Sequence, residues 1–197
     1  MKSDIILSGV GGQGILSIAT IIGEAALNEG LFIKQAEVHG MSQRGGDVQS
    51  NLRISSSAIY SDLIAKGRVD AIISLEPMEA LRYKTYLSPT GWIVSNSTPF
   101  VNIPNYPEKE KLYAELSALP HVILIDVDAI AKEVGSPRTT NMVLLGAASP
   151  ILGIGTDKLE NAIGRVFARK GEETVQSNQK AFRMGLEAGQ QQMKKAK

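Results

Sequence analysis

An α/β fold, with a mostly parallel sheet covered by helices and a helical C-terminal part, is what this 197-residue sequence predicts. Three observations predict it. Short apolar runs alternate with stretches of helical period as far as about residue 138, the pattern of strands joined by crossover helices. A glycine-rich turn, Gly9-Val10-Gly11-Gly12-Gln13-Gly14, separates the first apolar run from the first helical stretch. Beyond residue 138 only helical patterns remain.

Taken in order, residues 4–8 (Asp4-Ile5-Ile6-Leu7-Ser8) read as a buried strand. Residues 13–29 read as the following helix, with Ile15, Ile18, Ala19, Ile22, Ala25 and Ala26 on one face. Gly30 stands where that helix should stop. Residues 31–38 suggest a second strand, and 48–54 alternate at period two as a half-buried strand does. Asp70-Ala71-Ile72-Ile73-Ser74-Leu75 is apolar without alternation, the mark of a central parallel strand. Glu76-Pro77 then opens a helix over 77–86, and 91–95 form another short strand. Residues 97–107 hold three prolines and few helix formers, so they predict an extended loop or edge segment. A helix over 108–118 leads to a strand at 121–125, and Asp128 can cap a helix over 129–134. Residues 140–149 suit a buried helix. Asp157 and Glu160 have capping-box spacing ahead of Leu159, Ala162, Ile163, Val166 and Phe167, and a last helix spans 172–192. Neither a repeat nor a low-complexity linker divides the chain, so one Rossmann-like domain over 1–197 is expected.

Composition narrows the function classes. A net charge of +1 gives no nucleic-acid footprint, and Lys194, Lys195 and Lys197 read as a solvated end. The absence of cysteine excludes disulfides, thiolate zinc sites and iron–sulfur clusters ligated by this chain. His39 and His121 are too few for a histidine-rich metal site. Met1-Lys2-Ser3 runs straight into the first strand without a leader-like core, and no apolar run approaches the ~20 residues that span a bilayer. A cytoplasmic location is the expectation.

Two segments carry the candidate site. Glycines at Gly9, Gly11 and Gly14 let backbone turn tightly beside a ligand, and the helix behind them presents unpaired N–H groups. A dinucleotide fingerprint would add an acid roughly 20 residues on, near Glu37. A phosphate or other anion site, and a purely structural turn, are the other open readings. The second segment is His39-Gly40-Met41-Ser42-Gln43-Arg44-Gly45-Gly46. Its arginine beside two glycines can grip a carboxylate or phosphate, while His39, Ser42 and Gln43 add further hydrogen-bonding groups. A surface turn with an exposed arginine is the plainer account. Because ligands of parallel sheets sit at the carboxyl ends of strands, Gly9–Gly14, the 39–46 loop, Glu76 and Asp126 should share one rim. Glu76, Asp126 and Asp128 read as helix-start residues and His121 as structural; no Ser–His–Asp or paired-carboxylate arrangement stands out.

Gly9-Val10-Gly11-Gly12-Gln13-Gly14-Ile15 together with Glu37-Val38-His39-Gly40-Met41-Ser42-Gln43-Arg44-Gly45-Gly46 resembles the gamma-type domain of 2-oxoacid:ferredoxin oxidoreductases. The His-Gly-Met-Ser-Gln-Arg-Gly-Gly wording resembles most the smaller, beta-type subunit of the indolepyruvate branch. Leu75–Arg82 and Asn141–Ala147 share the resemblance, which covers essentially the whole chain. It implies a subunit, inactive alone, of an enzyme that oxidatively decarboxylates aryl 2-oxo acids to acyl-CoA and passes electrons to ferredoxin. Thiamine diphosphate with Mg and iron–sulfur clusters would belong to a larger alpha subunit, since this chain lacks cysteines and the Gly-Asp-Gly…Asn motif. Coenzyme A would be a co-substrate. The resemblance assigns Gly9, Gly11, Gly12, Gln13, Gly14 and residues 39–46 to substrate or cofactor contact, with neither a catalytic nor a metal-ligating residue in this chain. A homodimer is possible for the isolated chain. Two other classes stay open: a stand-alone dinucleotide-binding dehydrogenase and a non-enzymatic ligand-binding adaptor.

Overall fold

The computed structural model describes residues 1–39 and 45–195. Its sheet has six strands: β1 (Lys2–Val10), β2 (Phe32–His39), β3 (Asp47–Ser55), β4 (Val69–Ser74), β5 (Leu87–Asn96) and β6 (Val122–Ile125). They lie in the order β2-β3-β1-β4-β5-β6. β1, β4, β5 and β6 are parallel, and β3 runs antiparallel to both β1 and β2. The sheet is therefore mostly parallel, as expected. The period-two segment is the antiparallel β3, and the unalternating 70–75 run is the fully covered β4.

Successive side chains of a strand point to opposite faces, so each face has its own core. On one side Ile5, Leu7, Leu52, Ile54, Ile73 and Val94 pack against α1 (Ile15–Asn28), α4 (Val127–Val134), α5 (Thr140–Ala148), α6 (Thr156–Phe167) and α7 (Glu172–Lys195). On the other, Ile6, Ile72 and Ile93 meet Ala80 and Tyr83 at α2 (Pro77–Arg82) and Leu116 of α3 (Lys109–Ser117). α5 is buried from Asn141 to Ala148, which is why it shows no polar face. It crosses α7 with backbones in contact: a Cβ on Gly146 would lie 2.0 Å from the Phe182 carbonyl oxygen, and one on Gly185 2.0 Å from that of Val143. α7 also closes the β6 edge. The Leu124 N–H donates to Gln192 Oε1 (3.2 Å), and Gln192 Nε2 donates to the Leu124 carbonyl (2.5 Å).

Several boundaries differ from the sequence reading, each for a local reason. β5 begins at Leu87 rather than at residue 91, because the register shift between Val69 and Ala71 leaves Pro89 outside the ladder. The 77–86 helix stops at Arg82 and tightens into a 3-10 turn over Lys84–Tyr86. Asp126, not Asp128, caps α4, its Oδ1 accepting from Ala129 N at 2.9 Å. Asp128 instead accepts from Asn96 Nδ2 at 3.0 Å. Asp157 and Glu160 form no capping box: the cap of α6 is Gly155, so Asp157 is already helical and Glu160 reaches Arg183 on α7.

Candidate functional site

β1 delivers the chain to the rim where the parallel strands end. Gly9 and Val10 are still paired, opposite Val48 and Asp47 of β3. The turn that follows needs glycine at Gly12 (φ +104°) and Gly14 (φ +87°), a backbone conformation that L side chains rarely adopt. Gly14 is also crowded, since a Cβ there would lie 2.7 Å from Asn141 Nδ2. Two side chains fasten the turn. Gln13 Oε1 accepts from Val10 N (2.8 Å) while its Nε2 donates to the Leu75 carbonyl (3.2 Å), tying β1 to β4. Asn141 Nδ2 donates to the Gly14 carbonyl at 3.2 Å, tying α5 to the start of α1. The Gln13 amide thus holds the turn from within.

The second glycine segment meets the first. Gly11 N donates to the Gly46 carbonyl (2.9 Å), and Gly45 N donates to the Gly11 carbonyl (3.4 Å). His39 ends β2 in register with Val48. Both described ends of the 39–46 loop therefore flank the glycine turn; Gly40, Met41, Ser42, Gln43 and Arg44 lie outside the described residues. Between turn and β2 opens a cavity of about 360 Å³ lined by Val10, Gly12, Gly14, Leu16, Glu37 and Val48. Among the described residues its walls are apolar apart from Glu37, and the donors that an anion would meet there are the backbone N–H groups that a helix start leaves unpaired.

Glu37 reaches this cavity from two strands away. β3 stands between β1 and β2, so the acid lies about 10 Å across the sheet from the glycine strand. The ribose-binding acid of a dinucleotide fold sits on the strand directly beside β1. The fingerprint geometry is absent here.

On the other side of the turn, a cavity of about 400 Å³ runs between Gln13, Leu75, Asn96, Phe100, Asp128 and Thr140. This is the switch point of the sheet, where α1 leaves β1 over one face and α2 leaves β4 over the other. Its outer wall is the segment 97–107, here called the strap. One carboxylate fastens the strap: Glu76, 0% exposed, caps α2 by accepting from Glu79 N (2.8 Å) through Oε2. Through Oε1 it accepts from Phe100 N (3.4 Å) and from the Tyr106 hydroxyl. Burial raises the Glu76 carboxyl above its ordinary range, opposed by those three donors, with the Glu79 carboxylate adding to the rise. The Tyr106 hydroxyl is pushed far up by its own burial and by Glu76. From the strap, Asn102 Nδ2 donates to the Gly45 carbonyl at 2.7 Å, so strap and glycine segments form one continuous rim.

Among the described residues Gly9–Gly14, Glu76 and Asp126 lie at or just past carboxyl ends of parallel strands, and Gly45–Gly46 reach the same rim at the amino end of the antiparallel β3. Glu76 and Asp126 are helix caps, as read. His121 stacks on Trp92 at 4.9 Å, at the opposite end of β6. The sequence reading did not find the fastening residues Asn102, Tyr106 and Asn141. They hold the site through contacts 57, 30 and 127 residues away along the chain, which no local pattern encodes.

Among the described residues no three His, Asp or Glu side chains converge as metal ligands, and no helix is long and apolar enough to cross a membrane. Residues 4–188 match the pyruvate ferredoxin/flavodoxin oxidoreductase family. The chain is 34% identical over 200 residues to the indolepyruvate oxidoreductase subunit IorB of Thermococcus kodakarensis, covering 96% of this chain and 97% of the relative. It is similar in structure to the gamma subunit of a keto/oxoacid ferredoxin oxidoreductase from Geobacter sulfurreducens, with TM-score 0.70, 28% identity and coverage of 96% and 99%. The fold also recurs, with TM-score 0.74 and 24% identity, in a 2-oxoglutarate:ferredoxin oxidoreductase from Magnetococcus marinus solved with 2-oxoglutarate, coenzyme A and succinyl-CoA bound. There 96% of this chain corresponds to 31% of a longer polypeptide.

Proposed function

The chain belongs to the pyruvate ferredoxin/flavodoxin oxidoreductase family, and from that premise we propose that it is the smaller subunit of an indolepyruvate-type 2-oxoacid:ferredoxin oxidoreductase. In this reading residues 1–197 act as one domain in the cytoplasm. They complete the active site in which a larger alpha subunit decarboxylates aryl 2-oxo acids to acyl-CoA and passes electrons to ferredoxin. The observation that carries the reading is the pairing of Gly11 with Gly45 and Gly46, which joins the two glycine segments into one edge of an open cleft.

The residues of this chain do not fit the redox cofactors. It has no cysteine for iron–sulfur clusters, and its described acidic and histidine side chains do not converge on a cation. Thiamine diphosphate with Mg, and the clusters, are therefore assigned to the partner, where they would supply carbanion stabilisation and electron transfer. This chain orients and encloses. Gly9, Gly11, Gly12, Gln13 and Gly14 give a turn that the Gln13 amide fastens and that opens on one side to the cavity. With the backbone of His39, Gly45 and Gly46 they border the cleft, and in this reading Gly40, Met41, Ser42, Gln43 and Arg44 join them in contacting the 2-oxo acid or coenzyme A. Holding two reactants in register and excluding water contributes rate without a nucleophile.

Reconstitution tests the reading. Ferredoxin reduction that depends on indolepyruvate and coenzyme A should appear when the chain is combined with the larger subunit. Neither polypeptide should catalyse it alone. Steady turnover by the isolated chain would overturn the assignment.

A further inference from the structure

We infer that the strap, residues 97–107, is the surface on which the larger, cofactor-bearing subunit docks; this rests on the reading above that such a subunit exists. Four observations converge on it.

The first is composition. From Ser97 to Pro107 there is no Asp, Glu, Lys, Arg or His, in a chain that is 21% charged. Depletion of charge marks the cores of protein interfaces rather than free surface. The second is exposure. Phe100 (49%), Val101 (71%) and Ile103 (37%) place three large apolar side chains in solvent within four residues. Leu16 and Val38 are exposed at the same rim, at the start of α1 and the end of β2, whereas Leu27, Phe32, Tyr60 and Leu63 are exposed elsewhere. Clustering of this kind, unlike single exposed residues, marks a contact site.

The third is rigidity. Pro99, Pro104 and Pro107 restrict the strap, and the buried Glu76 pins it at Phe100 and Tyr106. A connecting loop has no need of a buried carboxylate, whose desolvation is costly. A docking surface gains from one, because order already present before association is not lost on binding. The fourth is continuity: Asn102 joins the strap to Gly45, so a body seated on it also covers the glycine segments. An uncharged apolar strip offers nothing to acidic lipid headgroups or nucleic acid. A protein that closes the adjoining cleft fits both its chemistry and its place.

The double variant Val101→Asp/Ile103→Asp tests this, with Leu27→Asp near the far end of α1 as control. Both carboxylates enter at exposed positions, so the isolated double variant should keep wild-type circular dichroism and melting behaviour. Its affinity for the larger subunit, measured by calorimetry and co-elution, should fall about tenfold or more, the scale expected at the centre of an interface. Leu27→Asp should bind as wild type. Wild-type affinity in the double variant would overturn the docking surface. So would loss of self-association by the double variant with partner binding intact, since the strap would then serve a second copy of the chain. A wild-type complex that forms through the strap but does not turn over indolepyruvate would remove the proposed substrate and leave this surface standing. Failure of the wild-type chain to bind the larger subunit would remove both.

Discussion

At Glu76 one wholly buried carboxylate performs two tasks, capping α2 and pinning the strap, and its protonation links them. Burial lifts its pKa above the ordinary 4.5, so the folded protein holds this proton more tightly than the unfolded chain. Folding then takes up a proton in the interval above pH 4.5, and the stability this group contributes falls as pH rises through it. Glu76→Gln removes the titration. It also removes one acceptor, at a cost of about 1 kcal/mol that does not vary with pH. The stability gap between wild type and variant should therefore shift in the variant's favour as pH rises from about 5 to 8. Urea unfolding at several pH values measures it; parallel curves would show that this carboxyl keeps an ordinary pKa.

Among the elements, α5 and α7 set the tightest tolerance. Gly146, Gly185 and Gly189 let the two helices meet backbone to backbone, with no void for a methyl group. Gly185→Ala should lower unfolding free energy by about 1–3 kcal/mol or more, because neither carbonyl nor helix can move aside alone. Gly164, inside α6, meets only the flexible end of Gln179 at 3.4 Å. There Gly→Ala should instead stabilise by about 0.5–1 kcal/mol, through helix propensity. Denaturant titration of both variants checks the contrast; equal effects would mean that the helices do not touch. Periodicity made α1, α6 and α7 legible in the sequence, since each buries one stripe. It could not show which stripes face each other, although Gly185 and Gly189 lie one turn apart. The cap of α4 was misplaced because Asp126 and Asp128 both suit a helix start, and the choice was made by Asn96, 32 residues from Asp128.

For the molecule as a whole, the consequential feature is where β3 lies. The sequence reading put the glycine turn and the 39–46 loop on one rim, and the described ends of that loop, His39, Gly45 and Gly46, lie beside the turn, as the direction of β1 and β2 requires. It could not tell whether 48–54 stood at an edge or between them, since alternation reports a half-covered face and not a neighbour. By inserting antiparallel between β1 and β2, β3 lets Gly45 and Gly46 bond to Gly11. The same insertion moves Glu37 one strand further from the turn than a ribose-binding acid stands. One topological step thus builds the double-glycine edge and dismantles the dinucleotide site. Titration of the isolated chain with NADH, followed by cofactor fluorescence, should accordingly show no saturable binding at micromolar concentrations. A micromolar site abolished by Glu37→Ala would require that the acid reach a ribose across β3. The family assignment could survive that result, but the account of why this sheet carries an extra antiparallel strand beside its glycine turn could not.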